Sequence, residues 1–404
     1  MASLRSSAET VKRKKQERKV SDKVFKFTAN LMNQHLKFPA AKNSTYSSND
    51  INHCLVQLSL SESYAESGLD ALSEKCDSQN QEKTSIQNKV PTGRTFRGRI
   101  ERLQETQIRQ ALTEANDQLL QTLQGCGVFR RNAVAAIDYN RDLFYGDKNA
   151  KNVIGGEHER GTCWAYCYGT VHVVEAGRRL TLSSMTINEF TEKADAVEKL
   201  ISETRARGLH IKLLLLDRAF FTIDVITRLK KLNVHFIMPA VKNDKVKEVM
   251  RNYKADEPAK PFTLGDKKKG VTFNLYLYKR PVEQLPKKKK LTVSDLYFGF
   301  ATNLPRSIAT TLPSFIPQEY RRRWGIETGY RVQADVQAKT TSTKYCVRLL
   351  YQMTSLLLYN IWEYANLLLC KVMKRPFDKP LLKLTKLAVH FEGFVIGGLG
   401  PPRH

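Results

Sequence analysis

The chain has 404 residues, enough to bury a large core and to form two domains or more, so it is not a small scaffold in need of disulfide or metal staples. Its formal charge of +26 exceeds what solubility requires and points to a polyanionic partner, nucleic acid first and an anionic membrane surface second. A membrane role is not expected, because the most apolar run, Leu349 to Cys370, is interrupted by Gln352, Asn360, Glu363 and Asn366, and the N-terminus carries polar and basic residues instead of an apolar signal segment.

Residues Val11 to Lys19 carry six basic side chains and one acid with no apolar period to bury, so residues 1–21 read as a disordered basic arm, either for nucleic-acid contact or for solubility. From residue 22 to about 130 the text is helical. Val24, Phe25, Leu31, Leu36 and Phe38 share one helix that stops before Pro39, and Ile51, Leu55, Val56, Leu58 and Leu60 share another. A short helix at Gly68 to Cys76, the polar run Asp77 to Asn88, and a helix from Glu105 to Leu123 follow. Between the last two, Arg94, Arg97, Arg99 and Arg102 follow a polar turn as a DNA-recognition helix could, although a basic surface helix has the same pattern. This region is expected to be an all-α DNA-binding domain, with Arg97 among its contact residues.

At Arg131 the period changes. Asn132 to Asp138 is an apolar run ending in an acid, and Tyr139 to Asp147 reads as a polar, aromatic loop. Thr162 to Val174 and Arg179 to Ile187, rich in β-branched and aromatic residues, form a hairpin. Cys163 and Cys167 would stand roughly 13 Å apart on one strand face, too far for a shared ion or a disulfide. With an odd total of seven cysteines, the chain suits a reducing cytosol. A helix opened by Asn188 or Thr191 runs to about Arg207, Gly208 closes it, and Ile211 to Leu216 is a strand buried on both faces that ends at Asp217. A helix from Thr222 to Leu232 and a strand at Val234 to Pro239 complete a right-handed crossover, so the fold is α/β with a mixed sheet. Residues 241–317 read as a β-rich insertion, with lysine clusters at 267–269 and 287–290 suited to phosphate contact. Two more helices, over Arg348 to Cys370 and Leu381 to Phe391, precede a Gly/Pro-rich end.

The stretch Tyr320 to Arg331 sets one carboxylate, Glu327, among arginines and aromatics. On a helical wheel Tyr320, Glu327 and Arg331 fall on one face, with Arg323 about 60° aside, while Gly325 and Gly329 leave the opposite face bare for close packing. A solvated helix with Arg323–Glu327–Arg331 pairs would show the same spacing. Asp138 and Asp217 end strands; if those strands are neighbours, a helix against that edge brings Glu327 beside them. Three crowded carboxylates raise one another's pKa unless a cation is present, and a pair of Mg²⁺ ions resolves the repulsion while activating water on a phosphodiester. Each acid has a plainer use: Asp217 could cap the next helix, Asp138 could open a turn, and Asp142 or Asp147 could take the place of Asp138. His158, His172, His210 and His235 are isolated and form no catalytic set.

Ala136-Ile-Asp-Tyr139, Leu216-Asp-Arg-Ala-Phe-Phe221 and Tyr320-x2-Arg323-x3-Glu327 together resemble the ribonuclease H-like core of DDE transposases encoded by prokaryotic insertion sequences, in the superfamily named after insertion sequence four. The resemblance spans about Arg131 to Leu369. It implies a ribonuclease H-like catalytic domain at 131–404 that performs DNA transposition, with Asp138, Asp217 and Glu327 as catalytic acids and ligands of two Mg²⁺ ions, Mn²⁺ being an acceptable replacement. It further implies that Tyr320 and Arg323, with Arg322 and Arg331 of the same cluster, contact DNA, that the partners are terminal inverted repeats and target DNA, that the synaptic complex holds a homodimer, and that the protein is cytoplasmic and nucleoid-associated. A catalytically silent DNA-binding regulator and a ribonuclease H-like endonuclease without joining are the alternatives. One departure stands out. The signature continues to a lysine seven positions after the glutamate, which here is Ala334; Arg331 lies on the same face, and Lys339 about 100° away.

Overall fold

The computed structural model describes residues 2–78, 88–253, 257–266, 268–288 and 290–399. The polar stretch at 79–87, Lys267, Lys289 and the Gly/Pro-rich end at 400–404 lie outside the described residues. In chain order the elements are α1 (Ala2–His35), α2 (Ser48–Leu60), α3 (Ala65–Ser78), α4 (Gly93–Ile100) and α5 (Glu105–Gly125), then β1 (Ala133–Leu143), β2 (Val153–Glu159), β3 (Thr162–Val173), β4 (Thr181–Ile187), α6 (Lys193–Ala206), β5 (Ile211–Leu216), α7 (Ile223–Lys231) and β6 (Phe236–Pro239). After them come α8 (Asp244–Arg251), β7 (Ala259–Leu264), β8 (Val271–Lys279), α9 (Val293–Leu296), β9 (Tyr297–Thr302), α10 (Arg306–Thr311), α11 (Phe315–Arg321), α12 (Trp324–Ala334), α13 (Tyr345–Met373) and α14 (Leu384–Leu399).

The basic run read as a disordered arm is helical instead, as the start of α1. Glu17, Val20, Ser21 and Val24 repeat at three-to-four spacing and are all buried, a stripe that the surrounding lysines and arginines conceal in the sequence. Glu17, only 1% exposed, is gripped by Arg13 and by Lys386 at the start of α14. Its charge is buried because it is paired on both sides. The helices α1 to α5 pack against α13 and α14, so the N-terminal helical region shares one apolar core with the end of the chain.

The nine strands form one mixed sheet in the order β2-β3-β1-β5-β6-β9-β8-β7, with β4 also paired to β3. The centre, β1-β5-β6, is parallel, as the crossover through α7 requires. The region read as a separate β-rich insertion is instead continuous with this sheet: β9 pairs antiparallel with β6 through Ile237↔Thr302, and β8 and β7 extend the edge. The strand β1 also runs past its expected end. Its parallel pairing with β5 stops at Ile137↔Leu216, but its antiparallel pairing with β3 continues to Leu143↔Ala165.

Strand alternation divides the core into two layers. Ala133, Ala135, Ile137, Leu214 and Leu216 face the large core under α5, α6, α7 and α13. Val134, Ala136, Leu213 and Leu215 face a smaller cluster with Ile316 of α11 and Ile326 of α12. By the same alternation Asp138, Asn140 and Asp142 follow Ala136 onto the α12 side.

The long helix α13 is buried along most of its length, and among the described residues no helix is long and apolar enough to cross a membrane. Glu363 on α13 is 5% exposed, and burial pushes its carboxyl up to about 8, with Arg179 pulling the other way. A carboxyl raised in the folded state from an ordinary 4.5 contributes most below that value and loses stability as pH rises from 4.5 to about 8, by at most about 1.4 kcal/mol per pH unit. Glu363→Gln should therefore raise the melting temperature relative to wild type by more at pH 8 than at pH 5; an equal shift at both values contradicts this account.

Candidate active site

Two carboxylates are placed by the sheet itself. Ile137 pairs with Leu216, and one step further along this parallel register Asp138 stands opposite Asp217. Paired positions project to one face, so both acids point to the side that α12 covers. Asp217 begins a single 3₁₀ turn, Arg218 to Phe220, but its side chain makes no capping hydrogen bond. The plain use of Asp217 as a helix cap is thus not realised.

The third acid arrives through a break in the helix. Tyr320 lies on α11 and Glu327 on α12, and between them Arg322 and Arg323 keep right-handed helical torsions. Gly325 N–H donates to Arg322 O at 2.8 Å and Ile326 N–H to Arg323 O at 2.9 Å, three-residue bonds that tighten the turn. The continuous wheel expected over 320–331 therefore does not hold. The expected bare face does, and it packs on β3: a side chain on Gly325 would meet Val174 Cβ at 3.2 Å, and one on Gly329 would meet His172 Cε1 at 2.7 Å.

Arg323 is the hub. Its Nη1 donates to Asp138 Oδ2 at 3.2 Å and its Nη2 to Glu327 Oε1 at 2.7 Å, and its guanidinium lies 5.8 Å from the centre of the Tyr320 ring. Burial pushes the Asp138 carboxyl up; Asp217 and Glu327 add to this, while the Tyr139 N–H at 2.8 Å and Arg323 pull it back. Burial alone would lower Arg323, but Tyr320, Asp138, Asp217 and Glu327 together hold it above its usual range. Tyr320 is raised to about 12, by burial first. One guanidinium thus neutralises two acids directly and feels the third.

The other candidates are spread more widely. Arg322 pairs with Glu319 at 3.2 Å, Arg331 is exposed on α12, and Arg97 is held by Glu66 of α3 at 2.5 Å. Of the remaining arginines around α4, Arg99 is buried and ties the loop carbonyls of Pro39 and Tyr46, while Arg94 and Arg102 are exposed. Asp142 is taken by Arg348 at 3.2 Å, and Asp147 accepts the Asn149 N–H in an exposed turn. Tyr330, which the sequence marks only as one more aromatic beside Glu327, donates its hydroxyl to the backbone oxygen of Asp138 at 3.0 Å and also bonds Thr170 at 2.6 Å. It fastens α12 to the strand position that carries the acid.

Among the described residues, no three His, Cys, Asp or Glu side chains stand close enough together to hold a metal ion. The donor chemistry nevertheless suits a hard divalent cation, since all three groups are carboxylates and two of them already close on a cation.

The neighbouring parallel strands β1 and β5 thus offer two carboxylates to the side of the mixed sheet that α12 covers. Residues 145–348, half of the chain, match the family described as Transposase DDE domain, and the chain belongs to it. It is a DNA transposase, an enzyme of the DDE type, and such enzymes work with divalent metal ions. The match encloses Asp217 and Glu327 and begins after Asp138. In overall fold the chain is similar to a piggyBac transposase solved in a synaptic complex with hairpin DNA, with a TM-score of 0.55 at 11% identity, over 94% of this chain and 78% of that one. No curated protein matches the chain.

The seating of α12 on β3 can be tested by paired glycine substitutions. Gly329→Ala, which drives a methyl into the buried His172 ring, should cost about 1–3 kcal/mol in chemical denaturation. Gly393→Ala, within helix α14 where an added methyl meets no described atom beyond its own stretch of helix, should stabilise by up to about 1 kcal/mol. The reverse order would show that α12 is not held at this distance.

Proposed function

We propose that Asp138, Asp217 and Glu327 are the catalytic acids, that they bind two Mg²⁺ ions or Mn²⁺ in their place, and that the chain cleaves phosphodiester bonds at the ends of a mobile element and joins the 3′ ends to target DNA. The observation that carries this reading is the shared guanidinium, because a buried cation held by Asp138 and Glu327 and felt by Asp217 marks the point where the three negative fields converge. When bound, the metals would polarise the phosphate and activate the attacking oxygen. The acids would hold them, Asp138 and Asp217 from the sheet and Glu327 from the helix. Arg323, displaced from the acids, would pair with a DNA phosphate, with the Tyr320 ring beside its guanidinium. Tyr330 positions Asp138 through the backbone.

Arg322, Arg331 and Arg97 would add DNA contacts, Arg97 after release from Glu66. In this reading residues 22–130 recognise the element ends, with the basic stretch 1–21 widening that surface, and residues 131–404 perform the chemistry. The exposed Arg94 and Arg102 beside α4 support a nucleic-acid face there. On Tyr320-x2-Arg323-x3-Glu327 the chain is assigned to the insertion-sequence-four group of prokaryotic elements, acting as a homodimer on paired ends and residing with the nucleoid.

Cleavage and joining assayed on the element's terminal repeats with Mg²⁺ test the assignment. Asp138→Asn, Asp217→Asn and Glu327→Gln should each lose on the order of 10²-fold or more in cleavage, the scale lost with one electrostatic group in an active site, while still binding the ends. Full cleavage by any of the three removes that residue from the site. Cleavage by wild type without joining would make the enzyme a nuclease only.

A further inference from the structure

Between α12, α13, the β3–β4 turn and the loop that follows α13 lies a cavity of about 220 Å³, and no member of the Arg323 cluster lines it. Tyr359, Trp362 and Glu363 line it from α13, where three-to-four spacing sets them on one face. Glu363 is 5% exposed, and its carboxyl has no hydrogen bond or ion pair among the described residues; Arg179, which also lines the cavity, acts on it only at a distance. A buried carboxyl without a counter-ion is costly. Arg179 Nε is sealed from solvent without a partner, whereas the Glu363 oxygens keep some surface, and the cavity is what that surface meets. Tyr359 shares a hydrogen bond with His172 Nε2 at 3.4 Å and Trp362 Nε1 donates to Leu382 O at 2.8 Å, so what these two side chains offer the cavity is ring. Phe377 adds a third ring, on a loop seated tightly on the β3–β4 turn: a side chain on Gly177, at φ +77°, would run into Phe377 O.

We propose that this cavity binds a compact organic cation, a primary alkylammonium, with its head on the Glu363 carboxylate and its body against the rings of Tyr359, Trp362 and Phe377. An ammonium offers three donors and no acceptor, the complement of an unanswered carboxylate, and aromatic rings attract a cation as well as cover its hydrocarbon. Asp378, exposed at the edge, adds a second carboxylate, so two acids face one guanidinium in the lining of a chain whose formal charge is +26. That local balance favours a cation over an anion. The volume falls below the range of about 300–1,000 Å³ typical of larger ligands, which limits the occupant to a few heavy atoms. On the α12 side the wall is Thr328, whose hydroxyl is spent on Trp324 O at 3.0 Å, and Val332, so nothing there competes for the head group. The inference stands on Glu363 and its surroundings and does not depend on which acids are catalytic.

Isothermal titration calorimetry of the full chain in amine-free phosphate buffer tests the inference without DNA or catalysis. n-Butylammonium chloride should bind saturably with a Kd of about 1 mM or tighter, while 1-butanol, of the same length and without the charge, should bind at least about tenfold more weakly. Glu363→Gln, expected to be the more stable protein, should weaken n-butylammonium binding by about tenfold or more, so that the loss is not a loss of fold. Val332→Phe, at a half-buried position of α12, fills the cavity, leaves the carboxyl in place and should weaken binding as much. Nα-acetyl-lysine amide carries the same head on a larger body and assigns the source: binding as tight as that of n-butylammonium makes the occupant a lysine side chain, and weaker binding makes it a free amine. No saturable binding by wild type, equal binding of 1-butanol, or unchanged binding in either variant overturns the inference, and none of these results bears on the acid variants in the cleavage assay.

Discussion

The active-site end of this molecule depends on a guanidinium between two carboxylates. Asp138 and Glu327 come from different layers, a strand and a helix, and would repel each other with Asp217 nearby. Arg323, 11% exposed, takes both on separate nitrogens and so bridges α12 and the sheet. Its own burial would be unfavourable without the acids, and their crowding would be unfavourable without it. Each charge is tolerated because the others are there.

Around that ion pair the scaffold is stiff. Gly325 and Gly329 bring α12 onto β3, Tyr330 bonds the backbone oxygen of Asp138, and Thr170, which pairs with Asp138 across β1 and β3, bonds the same hydroxyl. Asp138 and Asp217 need no such fastening, since the parallel register of β1 and β5 carries both to one face. The sheet thus sets the backbone positions of Asp138 and Asp217, while side chains alone make the ion pairs.

Much of the architecture was legible because it rests on local periodicity. The apolar run Ile211 to Leu216, the hairpin of β3 and β4, and the buried helix α13 follow from patterns of two or of three to four. What escaped depends on partners distant in sequence. The segment Tyr139 to Leu143 is polar enough to read as loop, yet β3 extends it as strand, and Arg348, 206 residues from Asp142, accommodates its acid. The short strand β2, mostly exposed, and β7, containing Pro261, carry weak strand signals and exist through β3 and β8. In α1 a dense run of cations masks the buried stripe, whose partners, Lys386 and the helices α13 and α14, lie at the far end of the chain. A helical wheel assumes an unbroken helix, so the three-residue bonds at Arg322 and Arg323 defeated it where the motif mattered most. The motif itself still drew together Tyr320, Arg323 and Glu327, because their contact depends on one turn rather than on the whole wheel.

The same error of extrapolation bears on Ala334. Measured on an ideal helix, Lys339 points away and the missing lysine looks like a deficit of charge. In the folded chain α12 stops at Ala334, Lys339 N–H bonds Ser63 O at 3.1 Å, and Lys339 and Ala334 border one groove. The positive charge that Lys339 brings to that groove therefore comes from the segment after the helix rather than from the helix itself.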